Sequence, residues 1–124
     1  LGRRGDLLLS NEETFLLNRM ALLGHSVRYI PAMIVGHNIL AARLDRRWLI
    51  QRHFWQGISD AMVTKMVSEP SQENRIAKAV GISARMTEFM WDESALGGGI
   101  KFTRQCRAAR DAGLVAGLLS DMDF

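Results

Sequence analysis

Apolar and polar positions divide the chain into a mixed first third and a helical remainder. Ser10-Asn11-Glu12-Glu13 reads as a helix start, with Ser10 as N-cap and Glu13 three residues on as its capping-box partner. Phe15, Leu16, Leu17, Met20, Ala21 and Leu23 then supply an apolar face at helical spacing, and Gly24 ends it. Ser26-Val27-Arg28-Tyr29-Ile30 alternates as a half-buried strand does. Pro31 interrupts before Ala32-Met33-Ile34-Val35, which predicts two short edge-like strands or one bent strand. Gly36-His37-Asn38 is a turn. A long helix or a broken pair is expected over 40–67, with Ile50, Phe54, Trp55, Ile58, Ala61 and Met62 on one side. Glu69-Pro70-Ser71 breaks the pattern, and Ser71 can cap a helix running to about Trp91. Gly97-Gly98-Gly99 is a flexible joint before a last helix from Lys101 to Leu119. No repeat or low-complexity tract occurs.

The 124 residues suffice for one compact domain and are too few for two of ordinary size. Charged residues at 23% and hydrophobic residues at 48% argue against intrinsic disorder. Lys and Arg number 16 against 13 Asp and Glu, an excess that permits phosphate or acidic-lipid contact without selecting either. Cys106 is the single cysteine, so no internal disulfide and no cysteine-rich zinc site can form, which suits a reducing, cytoplasmic setting. Residues 1–9 carry no signal peptide, and no run of about 18 apolar residues spans a bilayer. The start at Leu1, with glycines and charges, reads as a mid-protein loop and suggests a fragment.

One ordered set of residues carries a family resemblance. Asn11-Glu12-Glu13 is followed by Arg19, then by Val27-Arg28-Tyr29-Ile30-Pro31, Val35-Gly36-His37, Arg43, and Arg46-Arg47-Trp48. Phe54-Trp55-Gln56-Gly57-Ile58-Ser59 closes the series. From Ser10 to Gly57 the chain resembles the end of the catalytic domain of family 2 glycosyltransferases, which adopt the GT-A fold. There a Gly-Glu-Asp or Gly-Glu-Glu triplet opens a helix. A short strand near a Pro, a Val-x-His turn and Arg- and Trp-rich helical sequence follow. Two positions depart from that pattern: Asn11 stands where Gly is usual, and Glu13 where Asp is most frequent.

The resemblance implies transfer of a sugar from a nucleotide-sugar donor to an acceptor hydroxyl, as an inverting reaction. A carboxylate takes the acceptor's proton while the hydroxyl oxygen attacks the anomeric carbon. Glu13 is the leading base candidate and Glu12 the second. The competing role for Glu13 is the capping box with Ser10, and a carboxylate tied to backbone N–H groups is a poorer base. A divalent ion, Mg²⁺ or Mn²⁺, is expected to offset the leaving diphosphate in the intact enzyme, and none to bind the fragment alone. His37 resembles a histidine that lies near metal and diphosphate in some relatives; otherwise it is a surface or satisfied core residue. Arg43, Arg46 and Arg47 are candidates for the diphosphate vicinity. Asp121-Met122-Asp123 looks like the Asp-x-Asp metal motif, but it follows a helix at the end of the chain and reads as a solvated tail.

With Arg52, Trp48 and Trp55, the arginine cluster has two further readings: an anionic membrane surface, or plain packing with a solvated basic face. A separate stretch, Arg75-Ile76-Ala77-Lys78-Ala79-Val80-Gly81-Ile82-Ser83, resembles a helix-turn-helix core with Gly81 at the turn, so a DNA-binding module over 72–92 is the alternative. Its recognition helix would be apolar and acidic, which makes nucleic acid a poor partner. A helical protein-interaction module using residues 82–91 is a third. The expected fold is α+β and mostly α. Residues 1–67 would close a GT-A catalytic domain with one helix and one or two short strands, and 68–124 would form a helical extension. The fragment is expected to be inactive alone, and the enzyme to be cytoplasmic, with the basic helix as its means of peripheral membrane contact.

Overall fold

The computed structural model describes residues 8–90 and 97–120. Its regular elements are α1 (Glu12–Leu22), a 3₁₀ turn (Ala41–Leu44), α2 (Arg46–Ser68), α3 (Gln72–Met90) and α4 (Gly98–Leu119). Among the described residues there is no β-strand, which overturns the α+β expectation and the strand-bearing GT-A piece. The reason is local. Pro31 begins a turn in which the Met33 N–H donates to the Ile30 carbonyl at 3.0 Å, and the stretches on either side find no ladder partner. Alternation alone does not make a strand; pairing does. Tyr29 is 86% and Ile34 90% exposed, so the segment lies open to solvent.

α1 begins one residue later than the cap reading predicts. Asn11, not Ser10, is its N-cap, with left-handed backbone (φ 72°, ψ 16°) and no side-chain cap bond. The Ser10–Glu13 capping box is therefore absent. Gly24, at φ 78°, ends the helix region as expected. No residue of α1 is buried, and Leu16 and Leu17 are exposed, which corrects the expected packed face; Phe15, Asn18 and Met20 are half-buried instead.

α2 starts where the Asp45 carboxylate accepts the Trp48 N–H at 3.0 Å. It ends at Glu69, in left-handed conformation, just before Pro70. Ser71 Oγ accepts the Asn74 N–H at 3.3 Å at the start of α3. α3 then runs unbroken through Gly81, so the turn that a helix-turn-helix requires there is not made.

The core lies where α4 meets α2 and α3. Ala61, Ala79, Ile82 and Leu118 form one buried cluster, flanked by Met86, Leu114 and Val115. Leu9, Ile58 and Met62 form a second, with Phe54 and Trp55 against it. α2 and α4 run parallel: Arg46 meets Phe102 near their starts, and the Lys65 ammonium donates to the Ser120 carbonyl at 2.9 Å near their ends. Their backbones touch through glycine. A Cβ at Gly57 would lie 2.6 Å from the Leu114 nitrogen, and one at Gly117 2.6 Å from the Ala61 Cβ. α3 is antiparallel to α4, with Met86 near Arg104 and Ala108 and Ile76 near Leu119, and the first cluster draws on α2, α3 and α4. No helix among the described residues is long and apolar enough to cross a membrane.

Candidate functional site

The acidic turn Glu12–Glu13 opens α1, and both side chains are exposed. Neither carboxylate takes part in a hydrogen bond or ion pair among the described residues. The serine expected to cap the helix is engaged elsewhere: Ser10 N–H donates to Ser59 Oγ at 3.0 Å, and Ser10 Oγ–H to Gln56 Oε1 at 2.9 Å. Glu13 is thus released from the one structural role that competed with base chemistry. It does not point to a packed side, however, since that face of α1 is open.

The turn is anchored from outside its own helix. Asn11 Nδ2 donates to Asp60 Oδ1 at 2.7 Å, and Asn11 Oδ1 accepts from Gln56 Nε2 at 2.7 Å. Gln56 Nε2 also reaches Asp60 Oδ1 at 3.0 Å. The second Asp60 oxygen receives Arg110 Nε at 2.8 Å and Nη2 at 2.7 Å. Gln56, Ser59 and Asp60 lie along one side of α2, facing residues 10 and 11. Sequence reasoning singled out none of these as a network. The available signal was the polar trio 56, 59 and 60 inside a helix whose neighbours Trp55, Ile58, Ala61 and Met62 are apolar.

The basic candidates stand apart from the acidic turn. Arg43 lies over the Trp48 ring at 6.0 Å, and Arg46 over the Phe102 ring at 4.6 Å. Arg47 is exposed, as is His37, whose expected Gly36-His37-Asn38 turn is not made. From Arg46 to the Gln56 that holds Asn11 is ten residues of helix, about 15 Å along the axis. No hydrogen bond or ion pair joins Glu12 or Glu13 to His37, Arg43, Arg46 or Arg47 among the described residues. Nor do three His, Cys, Asp or Glu side chains gather there as a ligand set for the divalent ion that the resemblance implies. Asp121 and Asp123 lie outside the described residues.

Openings along α4 include two of several hundred Å³. One, of about 470 Å³, is lined by His53, Phe102, Thr103, Cys106, Arg107 and Arg110. Cys106 is buried at its wall; burial pushes its thiol pKa up, and the Arg46 guanidinium acts in the opposite sense and less strongly. The other, about 380 Å³ and apolar, lies between α3 and α4 against Ile76, Val80, Val115 and Leu119. Comparison of the chain with protein-family models, curated proteins and solved structures gives no match.

Proposed function

We propose that this chain is the C-terminal portion of a glycosyltransferase similar to family 2, moving a sugar from a nucleotide-sugar donor to an acceptor hydroxyl with inversion. The observation that carries the reading is the Glu12–Glu13 turn. Two adjacent carboxylates stand open at the start of a helix, uncommitted to capping, within the ordered series of residues from Asn11 to Ser59 that resembles the family. Glu13 removes the hydroxyl proton as the acceptor oxygen bonds to the anomeric carbon, and the nucleoside diphosphate departs with the electron pair of the broken bond. Glu12 diverges from it by about 100° around the helix and serves as second candidate. Binding of the donor falls to other parts of the intact enzyme, as does any divalent ion. The exposed apolar residues from Val27 to Val35 fit this division, because an apolar patch of that kind is a contact surface for further protein. The enzyme would be cytoplasmic and could meet an anionic membrane surface through the start of α2.

The test is turnover in the intact protein, read as nucleoside diphosphate released from a panel of nucleotide sugars. Glu13→Gln should lower the rate by about 10²–10⁴ with donor binding little changed. If Glu12→Gln abolishes turnover instead, the base is the neighbouring residue; if both variants keep full rate, the transferase reading is lost.

A further inference from the structure

The Glu12–Glu13 turn has few ties of its own. α1 buries no residue and, among the described elements, packs only against α2, yet its first turn hangs from Asn11, a non-glycine residue in the left-handed region. Asparagine tolerates that conformation better than most residues, but it does not choose it unaided. The choice is made by its side chain, which is bonded at both ends.

The orientation of that amide follows from chemistry. An ionised Asp60 can only accept, so Asn11 must present its Nδ2 to it. Gln56 gives its Oε1 to Ser10, so its Nε2 is the end left for Asn11 Oδ1 and Asp60 Oδ1. Asp60 in turn is held by Arg110 on α4, which takes the other oxygen. One carboxylate on α2 thereby joins the entry of α1, its own helix and α4. Polar networks satisfied at every member specify a single arrangement, where apolar packing of the same groups would tolerate several.

We propose that Asp60 is the positioning residue of the acidic turn: by holding Asn11 in its left-handed conformation, it fixes where Glu12 and Glu13 present their carboxylates. This rests on the transferase reading for its catalytic meaning, but not for its geometry. Glu12 follows Asn11 directly, so any relaxation of φ at Asn11 swings the whole first turn. Asp60 itself touches neither substrate nor base.

Two measurements test it. In the 124-residue chain with Cys106→Ser, spin labels placed at Thr14→Cys and Gln105→Cys, both exposed sites, report the distance from α1 to α4. The distribution should be narrow, should broaden in Asp60→Ala and in Asn11→Ala, and should narrow again in Asp60→Asn, which keeps an oxygen acceptor for Asn11 and Gln56. Circular dichroism checks that the helices persist; should Asp60→Ala unfold, Asn11→Ala decides. In the intact enzyme, Asp60→Ala should lower kcat by up to about 10²-fold with the donor KM little changed, because displacement of a reacting group by about 1 Å costs that much. Asp60→Asn should recover most of it. Distances unchanged in both alanine variants would overturn the proposal. So would broadened distances with kcat intact where Glu13→Gln or Glu12→Gln loses it. Full turnover in both Glu→Gln variants would instead sink the transferase reading, leaving the distances alone to accept or reject Asp60 as the anchor.

Discussion

Gly113 of α4 lies against the carbonyl oxygen of Phe54 in α2, with no room between them for a side-chain carbon. Gly57 meets the backbone at Arg110 in the same way, and Gly117 rests on Ile58 and Ala61. Each helix therefore carries small residues four apart, Gly57 and Ala61 on one and Gly113 and Gly117 on the other. That spacing keeps them on one helical face and lets two parallel helices approach to backbone contact. The crossing sets the separation of the middle of α2 from α4, and so where Asp60 and Arg110 can meet.

Gly113→Ala should accordingly push the helices apart and cost about 1–3 kcal/mol or more, since the obstacle is backbone rather than a movable side-chain tip. Gly81→Ala is the internal control. Gly81 sits in the middle of α3 with nothing within 4 Å of an added Cβ and without a positive φ. There alanine should stabilise by about 0.5–1 kcal/mol through helix propensity. Chemical denaturation of the two variants should shift midpoints in opposite directions. Equal and small shifts would mean that the α2–α4 crossing is looser than drawn.

The two partners of the Asp60 ion pair should differ in what their loss costs. The Arg110 side chain is 53% exposed, so screening by water holds its contribution to about 0–1 kcal/mol, and Arg110→Met should be nearly silent at high salt. The Asp60 side chain is 22% exposed and serves three partners. Asp60→Ala leaves Asn11 Nδ2 and one Gln56 N–H without their acceptor, at about 1–3 kcal/mol for such groups. Thermal unfolding of both variants at low and high salt separates the cases. A salt-sensitive Arg110→Met as costly as Asp60→Ala would assign the strength to the charge pair itself.

The helix ends were legible because they are written locally. Pro70, the flanking Glu69 and Ser71, and Gly24 each act on their own stretch of backbone, and the apolar face Ile58–Ala61–Met62 follows from period alone. The Gly97–Gly99 joint is not made: Gly97 is the N-cap of α4, and Gly98 and Gly99 lie in its first turn. What failed depended on distant partners. Ser26 to Ile30 has the alternation of a strand, but among the described residues no neighbouring strand takes its hydrogen bonds. Ser10 has the chemistry of a cap, but Gln56 and Ser59 claim it from 46 and 49 residues away. The close approach at Gly57 and Gly113 is likewise invisible until the two helices are known to be parallel. At the candidate site the carboxylates could be named from the sequence, whereas the groups that hold them, Asp60 and Gln56, could not.

If the start of α2 meets an anionic membrane, the contact is made by its exposed end. Arg47 and Leu44 are exposed there, whereas Trp55 packs against the Leu9 cluster and stands 5.9 Å edge-on to Phe54. Co-sedimentation with vesicles rich in phosphatidylserine should weaken in Arg43→Ala and Arg47→Ala, by about 1 kcal/mol, or roughly fivefold, per arginine. It should fall with salt and be unaffected by Trp55→Phe. Binding equal on neutral and anionic lipid would leave the arginines as a solvated face of a packed helix.

Cys106 offers a test of the core that needs no ligand. Only 7% of the residue is exposed, and burial raises its thiol pKa because a thiolate there would lose its water; Arg46 offsets this in part. The unfolded chain thus gives up the Cys106 proton at a lower pH than the folded chain does. Below the unfolded pKa both states hold the proton, and the contribution of this group to stability is fully present. As pH rises through the alkaline range, from the unfolded pKa to the folded one, the unfolded state binds fewer protons and stability falls, by about 1.4 kcal/mol for each unit between the two values. The informative quantity is a difference between two chains that share every other group. Unfolding free energies of the parent and of Cys106→Ala, compared from pH 7 upward, should converge as pH rises, because the alanine variant lacks the penalty. Iodoacetamide should also label the folded chain far more slowly than the chain in denaturant. Parallel curves with rapid labelling would place the Cys106 thiol in water, and the wall of the α2–α4 opening would have to be redrawn around it.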